Sequence, residues 1–151
     1  MDLRFVERES EEWRAARILR HTLFFDAHGL PPTVMDDEQE AGAVHLVIVD
    51  DGEVVAYGRL FDLGCGSFQI SQMAVAPSRQ RAGLGHRILQ ALVGRAWEAC
   101  ATVIVLKARL SAESFYAKAG FRRCGEPFPS TKTAVSHVDM KLDLRCSVDA
   151  R

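Results

Sequence analysis

The sequence predicts an α/β domain built on a mixed sheet. Short β-rich runs alternate with stretches of helical periodicity, turn signals join the early strands into a meander, and the order of elements mixes strands and helices to the end of the chain. Leu3 to Val6 reads as a first strand. From Ser10 the period changes: Trp13, Ala16, Arg17, Leu19, Arg20, Leu23 and Phe24 recur at helical spacing and leave one apolar stripe. Ser10, followed by Glu11 and Glu12, is an N-cap with acids at the positive end of the helix dipole. Gly29-Leu30-Pro31-Pro32 is expected to stop this helix.

Val44 to Val49 and Val54 to Phe61 read as strands joined at Asp50-Asp51-Gly52, a hairpin signal. Gly64-Cys65-Gly66 makes a second turn, and Phe68 to Ala76 a third strand ended by Pro77. Leu84 to Ala99 is helical, with Leu84, Ile88, Leu92 and Ala96 on one face. Val103 to Leu106 is a continuous apolar run, expected to be buried on both faces. Ser111 to Ala119 reads as a short helix closed by Gly120. Phe121 opens a further strand, and Val135 to Leu144 alternates as the last.

At 151 residues and 16.7 kDa, positions 1–151 fit a single domain with a real core. Hydrophobic residues at 48% and charged residues at 26% are the balance of a globular chain, not a disordered one. The net charge of -1 is spread along the chain, so neither nucleic acid nor an anionic membrane is an expected partner. The first residues are charged, with no apolar core of a secretory leader, and no apolar run approaches a membrane span of roughly 18 residues. Cys65, Cys100, Cys124 and Cys146 are scattered without a C-x-x-C pair, as for free thiols in a reducing compartment, and the cytoplasm is expected. There is no H-E-x-x-H or paired Cys/His spacing, so no metal is expected.

The chemically informative segment runs from Met73 through Ala76-Pro77-Ser78-Arg79-Gln80-Arg81-Ala82-Gly83-Leu84-Gly85-His86. A strand stops at a proline, and a glycine-containing turn opens a long helix. Unpaired N–H groups and the helix dipole make such a start attractive to anions, and glycines let a pyrophosphate approach the amides. Arg79, Arg81 and Arg87 add positive charge nearby. A Walker loop is absent, because no Lys-Ser/Thr pair follows Gly85. A dinucleotide fingerprint is absent too, because Ile88 stands where its third glycine belongs. Two glycines at a helix start fit close helix–strand packing as readily as a phosphate site.

A second motif decides between them. Ala112-Glu113-Ser114-Phe115-Tyr116-Ala117-Lys118-Ala119-Gly120-Phe121 follows the apolar strand. Val75, Pro77, Gln80, Gly83 and Gly85, with Ala112, Phe115, Tyr116, Gly120 and Phe121, resemble the two motifs of the GNAT superfamily of acetyl-CoA-dependent N-acetyltransferases. Leu19-Arg20, Phe24, Pro31, His45-Leu46, Gly58-Arg59-Leu60, Ile70 and Ser136-His137-Val138-Asp139-Met140 resemble its ElaA-like branch, so the likeness covers residues 3 to 143. The chain departs from that branch at Ala27-His28, Gln72 and Arg109.

The resemblance implies a three-layer fold whose largely antiparallel sheet is splayed between two parallel strands and flanked by helices. It implies acetyl-CoA as cosubstrate and a small-molecule or peptide amine as acceptor; a homodimer is compatible with it. Met73, Ala74 and Val75 would pair with the pantetheine arm. Gln80, Arg81, Ala82, Gly83, Leu84, Gly85 and His86 would surround the pyrophosphate, and Arg109, Phe115 and Tyr116 would complete the cofactor contacts. Tyr116 would protonate the leaving thiolate, since a phenol of pKa about 10 stays protonated at neutral pH. The base that deprotonates the amine is open among His28, His137, Asp26 and Glu126, while His21 and His45 read as structural. The acceptor is expected between the helix ending near His28 and the loop from Gly125 to His137. A binding module that kept the cofactor site and lost turnover is the alternative.

Overall fold

The computed structural model describes residues 1–144. Cys146, read as a free thiol, lies outside them. The elements are β1 (Asp2–Val6), α1 (Glu11–Phe24), β2 (Val44–Asp50), β3 (Glu53–Gly64), β4 (Ser67–Val75), α2 (Leu84–Glu98), β5 (Val103–Arg109), α3 (Glu113–Lys118), β6 (Arg122–Arg123), β7 (Phe128–Pro129) and β8 (Ser136–Asp143). Among the described residues the strands form one sheet in the order β1-β2-β3-β4-β5-β8-β6, with β7 paired to β8. It is a mixed and mostly antiparallel sheet. β4 and β5 pair in parallel over Ser67–Gln69 and Val103–Val105, while β1–β2, β2–β3, β5–β8, β6–β8 and β7–β8 are antiparallel. The chain divides into two compact units: Met1–Phe61 with Ile70–Gly94, and Asp62–Gln69 with Arg95 onward.

In the first unit, Ser10 caps α1 by accepting from the Trp13 N–H at 3.2 Å, with Glu11 and Glu12 in the first turn. The helix leaves off at Phe24, before the glycine and prolines expected to stop it. A 3₁₀ turn, Asp26–His28, follows, and Gly29 at φ 69° closes that turn rather than α1. Asp51 and Gly52 take φ 52° and 79°, the pair of left-handed residues that a tight Asp-Gly hairpin between β2 and β3 requires. One sheet face packs Val47, Val49, Tyr57 and Ala74 against Ala16 of α1. The opposite face receives α2, and Gly58 makes that possible. A Cβ there would lie 2.5 Å from Ile88 Cγ2 and 2.8 Å from Leu92 Cδ1, so any side chain would lift the helix off the sheet.

In the second unit, β5 runs against β8 from Val103↔Asp143 to Arg109↔His137. Ile104, Leu106 and Ala108 are buried, but Val103 and Val105 are only half-buried. The apolar run is therefore closed over fully on one face, not on both as its composition suggested. The strand expected from Phe121 is short, and Glu113 grips it through paired hydrogen bonds from Arg123 at 2.8 and 2.7 Å. β7 had no counterpart in the sequence reading.

Candidate active site

The turn into α2 is shaped by its backbone. After Val75 the Ala76 N–H donates to the Val55 carbonyl at 2.9 Å, and Pro77–Arg79 make one 3₁₀ turn. Gln80 Nε2 donates to the Val75 carbonyl at 3.3 Å, so its side chain ties the turn back to the strand end. Arg81 and Gly83 both adopt left-handed backbone, φ 69° and 79°. Gly83 pays no penalty there. Its carbonyl accepts from the Arg87 N–H at 3.1 Å, which makes it the first residue of the helix hydrogen-bond ladder. The N–H groups of Leu84, Gly85 and His86 then come before the point where intrahelical acceptors begin. Leu84 is buried and anchors the turn, while Gln80, Arg81, Ala82, Gly83 and His86 are exposed and Gly85 half-buried. Arg79, one of the cations of this segment, forms an ion pair with Asp50.

Met73 and Ala74 flank the sheet on opposite sides. The Met73 sulfur lies toward Gly58 and α2, and Ala74 packs with Ala16 and Tyr57 toward α1. One step earlier the alternation breaks. Ser71 Oγ accepts from Arg59 Nε and Gln72 Oε1 accepts from Arg20 Nη1, both at 2.9 Å, so consecutive side chains reach the α1 side. Gln72 sits at φ 54°. A left-handed residue together with two successive side chains on one face defines a β-bulge.

Behind Gln72 lies a set of buried charges that the motifs gave no notice of. Glu40, 2% exposed, accepts from Arg20 Nη1 and Nη2 and from Trp13 Nε1 at 2.9 Å, and from Arg59 Nη1 at 2.8 Å. Burial alone would raise this carboxyl, but the guanidiniums of Arg20 and Arg59 bring it down to about 2. Arg59 also reaches Asp37 at 3.1 and 2.9 Å. His45 Nε2–H donates to the Glu40 carbonyl at 3.0 Å, leaving Nδ1 to accept from the Tyr57 hydroxyl at 2.5 Å. Burial depresses His45, so it is neutral, and the Arg20 guanidinium stacks 4.2 Å from the Tyr57 ring. The available signal was in the sequence: Arg20 occupies the apolar stripe of α1, and His45 and Arg59 interrupt otherwise apolar strands.

In the second unit, Tyr116 is buried, with its ring edge-on to Phe115 at 5.0 Å and to Phe121 at 5.9 Å. Its carbonyl accepts from Ala119 and Phe121 N–H, and Gly120 supplies the φ of 100° that turns the chain out of α3. Burial pushes its phenol up to about 12, and among the described residues nothing hydrogen-bonds the hydroxyl. Arg109 ends β5 opposite His137.

Of the base candidates, His28, Asp26 and Glu126 are exposed. His137 is ordered: its Nδ1–H donates to the Val135 carbonyl at 2.7 Å and its ring stacks on Phe128. That hydrogen bond fixes the tautomer and leaves Nε2 as the proton acceptor. His21 donates through Nε2 to the Leu30 carbonyl at 2.7 Å, and with His45 it is structural.

The Acetyltransferase (GNAT) domain family matches residues 24–144, and the chain belongs to that family. It is 27% identical over 138 residues to a Bacillus subtilis protein described as uncharacterized N-acetyltransferase YjcF, covering 91% of this chain and 97% of the relative. The same fold is seen in the crystal structure of Escherichia coli ElaA, with a TM-score of 0.80, 17% identity, and coverage of 94% and 99% of the two chains. An aminoglycoside 6'-N-acetyltransferase complexed with coenzyme A also shares it, with a TM-score of 0.79, 14% identity, and coverage of 97% and 100%.

Proposed function

We propose that the protein transfers an acetyl group from acetyl-CoA to a primary amine by direct attack, and that residues 1–151 act as one acetyltransferase domain. The observation that supports this reading is the left-handed turn at Arg81 and Gly83, which starts the α2 hydrogen-bond ladder at the Gly83 carbonyl and leaves the N–H groups of Leu84, Gly85 and His86 ahead of any intrahelical acceptor. The aminoglycoside acetyltransferase of the same fold, complexed with coenzyme A, supports the choice of cofactor. In this reading the N–H groups of Leu84, Gly85 and His86 bind the pyrophosphate. The Met73–Val75 backbone pairs with the pantetheine arm beyond the three residues over which β4 and β5 pair. Arg109 and Phe115 complete the cofactor contacts. Three exposed free cysteines, Cys65, Cys100 and Cys124, suit a reducing, cytoplasmic setting.

An alkylamine must lose its proton first, at a cost of about 4.6 kcal/mol near pH 7. His137 is the base favoured by its geometry, since Nδ1 is held by the Val135 carbonyl and, among the described residues, Nε2 has no hydrogen-bond partner. Tyr116 serves the departing sulfur. Its phenol remains protonated throughout the working range, so it is always a donor.

Gly83→Val tests the cofactor site. A Cβ at Gly83 meets nothing within 4 Å, so no clash opposes folding, but a β-branched residue at φ 79° forces the turn to another shape. The Kd for acetyl-CoA, read by calorimetry, is expected to rise about tenfold or more, equal to about 1.4 kcal/mol. Unchanged affinity in a folded Gly83→Val protein would put the phosphates elsewhere.

A further inference from the structure

Two local costs meet at one joint. Gln72 holds a left-handed φ of 54° without being glycine, and Arg20, its partner, is fully buried with Nε lacking a hydrogen-bond partner among the described residues. Costs of this kind persist where the surroundings enforce them, and they gather at functional positions. Here the enforcing contacts are visible. Arg20 Nη1 is shared between Gln72 Oε1 and Glu40 Oε1, both at 2.9 Å, and Glu40 is pinned in turn by Trp13 and Arg59. Arg59 also holds Ser71, the other residue of the bulge. Both side chains of the bulge are therefore tethered to one buried carboxylate.

We propose that Gln72 is a positioning residue: its side-chain amide, held by Arg20 and Glu40, locks the bulge that aims the Met73–Val75 backbone at the acyl-CoA arm. This rests on the cofactor reading above. The hydrogen bond does what glycine does in other bulges, holding the left-handed turn of the strand against relaxation to regular β geometry. With the amide removed and a Cβ retained, the strand is free to straighten. Ala74 and Val75 then change the direction of their N–H and C=O groups.

Three variants test the lock by their Kd for coenzyme A, measured by isothermal titration calorimetry on the full chain. Gln72→Ala loses the tether and keeps the penalty, so its Kd is expected to rise about tenfold. Gln72→Gly also loses the tether but adopts positive φ freely. Its Kd is expected to stay within about threefold of the parent, the span of roughly 0.7 kcal/mol set by the same conversion. Gln72→Glu keeps an acceptor for Arg20 and is expected to bind like the parent. A role confined to fold stability would separate the variants in melting temperature, glycine above alanine, and leave the Kd of the folded protein equal in all of them. Equal affinity in all three variants, or glycine as weak as alanine, overturns the proposal. A parent protein that fails to bind coenzyme A overturns the cofactor reading itself, and the lock with it.

Discussion

Tyr116→Phe is expected to lower kcat and kcat/KM together by about 10²–10⁴-fold, with the KM for acetyl-CoA nearly constant. In the proposed mechanism the hydroxyl acts on the sulfur only as the C–S bond breaks, so its contribution would belong to the transition state and not to the bound ground state. Phenylalanine keeps the edge-on contacts to Phe115 and Phe121, and no hydrogen bond to another described residue is lost. The melting temperature should hardly move. Because burial has raised the phenol to about 12, the parent should show no fall in rate from tyrosine ionisation between pH 8 and about 10. Steady-state kinetics with chemistry shown to be rate-limiting is the measurement. A parent-like rate would assign the acid to water or to another residue, and a large loss of thermal stability would mean that the hydroxyl is structural.

Glu40→Ala is expected to cost roughly 3–5 kcal/mol of stability, because it leaves Arg20 and Arg59 buried beside each other without their carboxylate. Against a total of about 5–15 kcal/mol that removes from a fifth to all of the stability. The milder Glu40→Gln isolates the charge. In the parent the folded carboxyl sits at about 2 against an ordinary 4.5. Its contribution is thus fully present above pH 4.5 and is lost as the pH falls toward 2. His45, depressed by burial, works in the same direction, since the unfolded chain takes up its proton first as pH falls below 6.5. Urea unfolding of the parent should therefore weaken from pH 6 downward and steeply below pH 4.5. Glu40→Gln should keep the His45 part and lose the steep part. A parent and Glu40→Gln with parallel pH profiles would contradict the assignment.

The elements that obey one local rule were legible from the residues. Ser10 before two acids marks the start of α1, and Asp51-Gly52 marks the hairpin. The alternation from Val135 onward marks β8. Motif spacing alone located the turn at Gly83 and the tyrosine at 116. Misreadings arose where tertiary packing set the outcome. α1 stops at Phe24 although the breaker residues come later, because a 3₁₀ turn intervenes. β5 looks uniformly apolar, yet burial distinguishes its faces by what covers them. The buried ion network was hidden for a related reason. Charged residues are ordinarily read as solvated, and only the approach of the Asp37–Glu40 loop to α1 and β3 makes Arg20 and Arg59 interior groups. Gln72, a departure from the related branch when read in sequence, becomes intelligible once its partner Arg20 is seen.

Acyl transfer to an amine is tested most directly by following thiol release from acetyl-CoA while the parent protein is offered polyamines, amino sugars, aminoglycosides, lysine peptides and free peptide N-termini in turn. At least one class should give amine-dependent thiol release with a matching acetylated product by mass, strongly reduced in Tyr116→Phe. Tight binding of acetyl-CoA with no amine-dependent release on any of them would contradict the enzyme and identify a binding module that senses the acyl carrier.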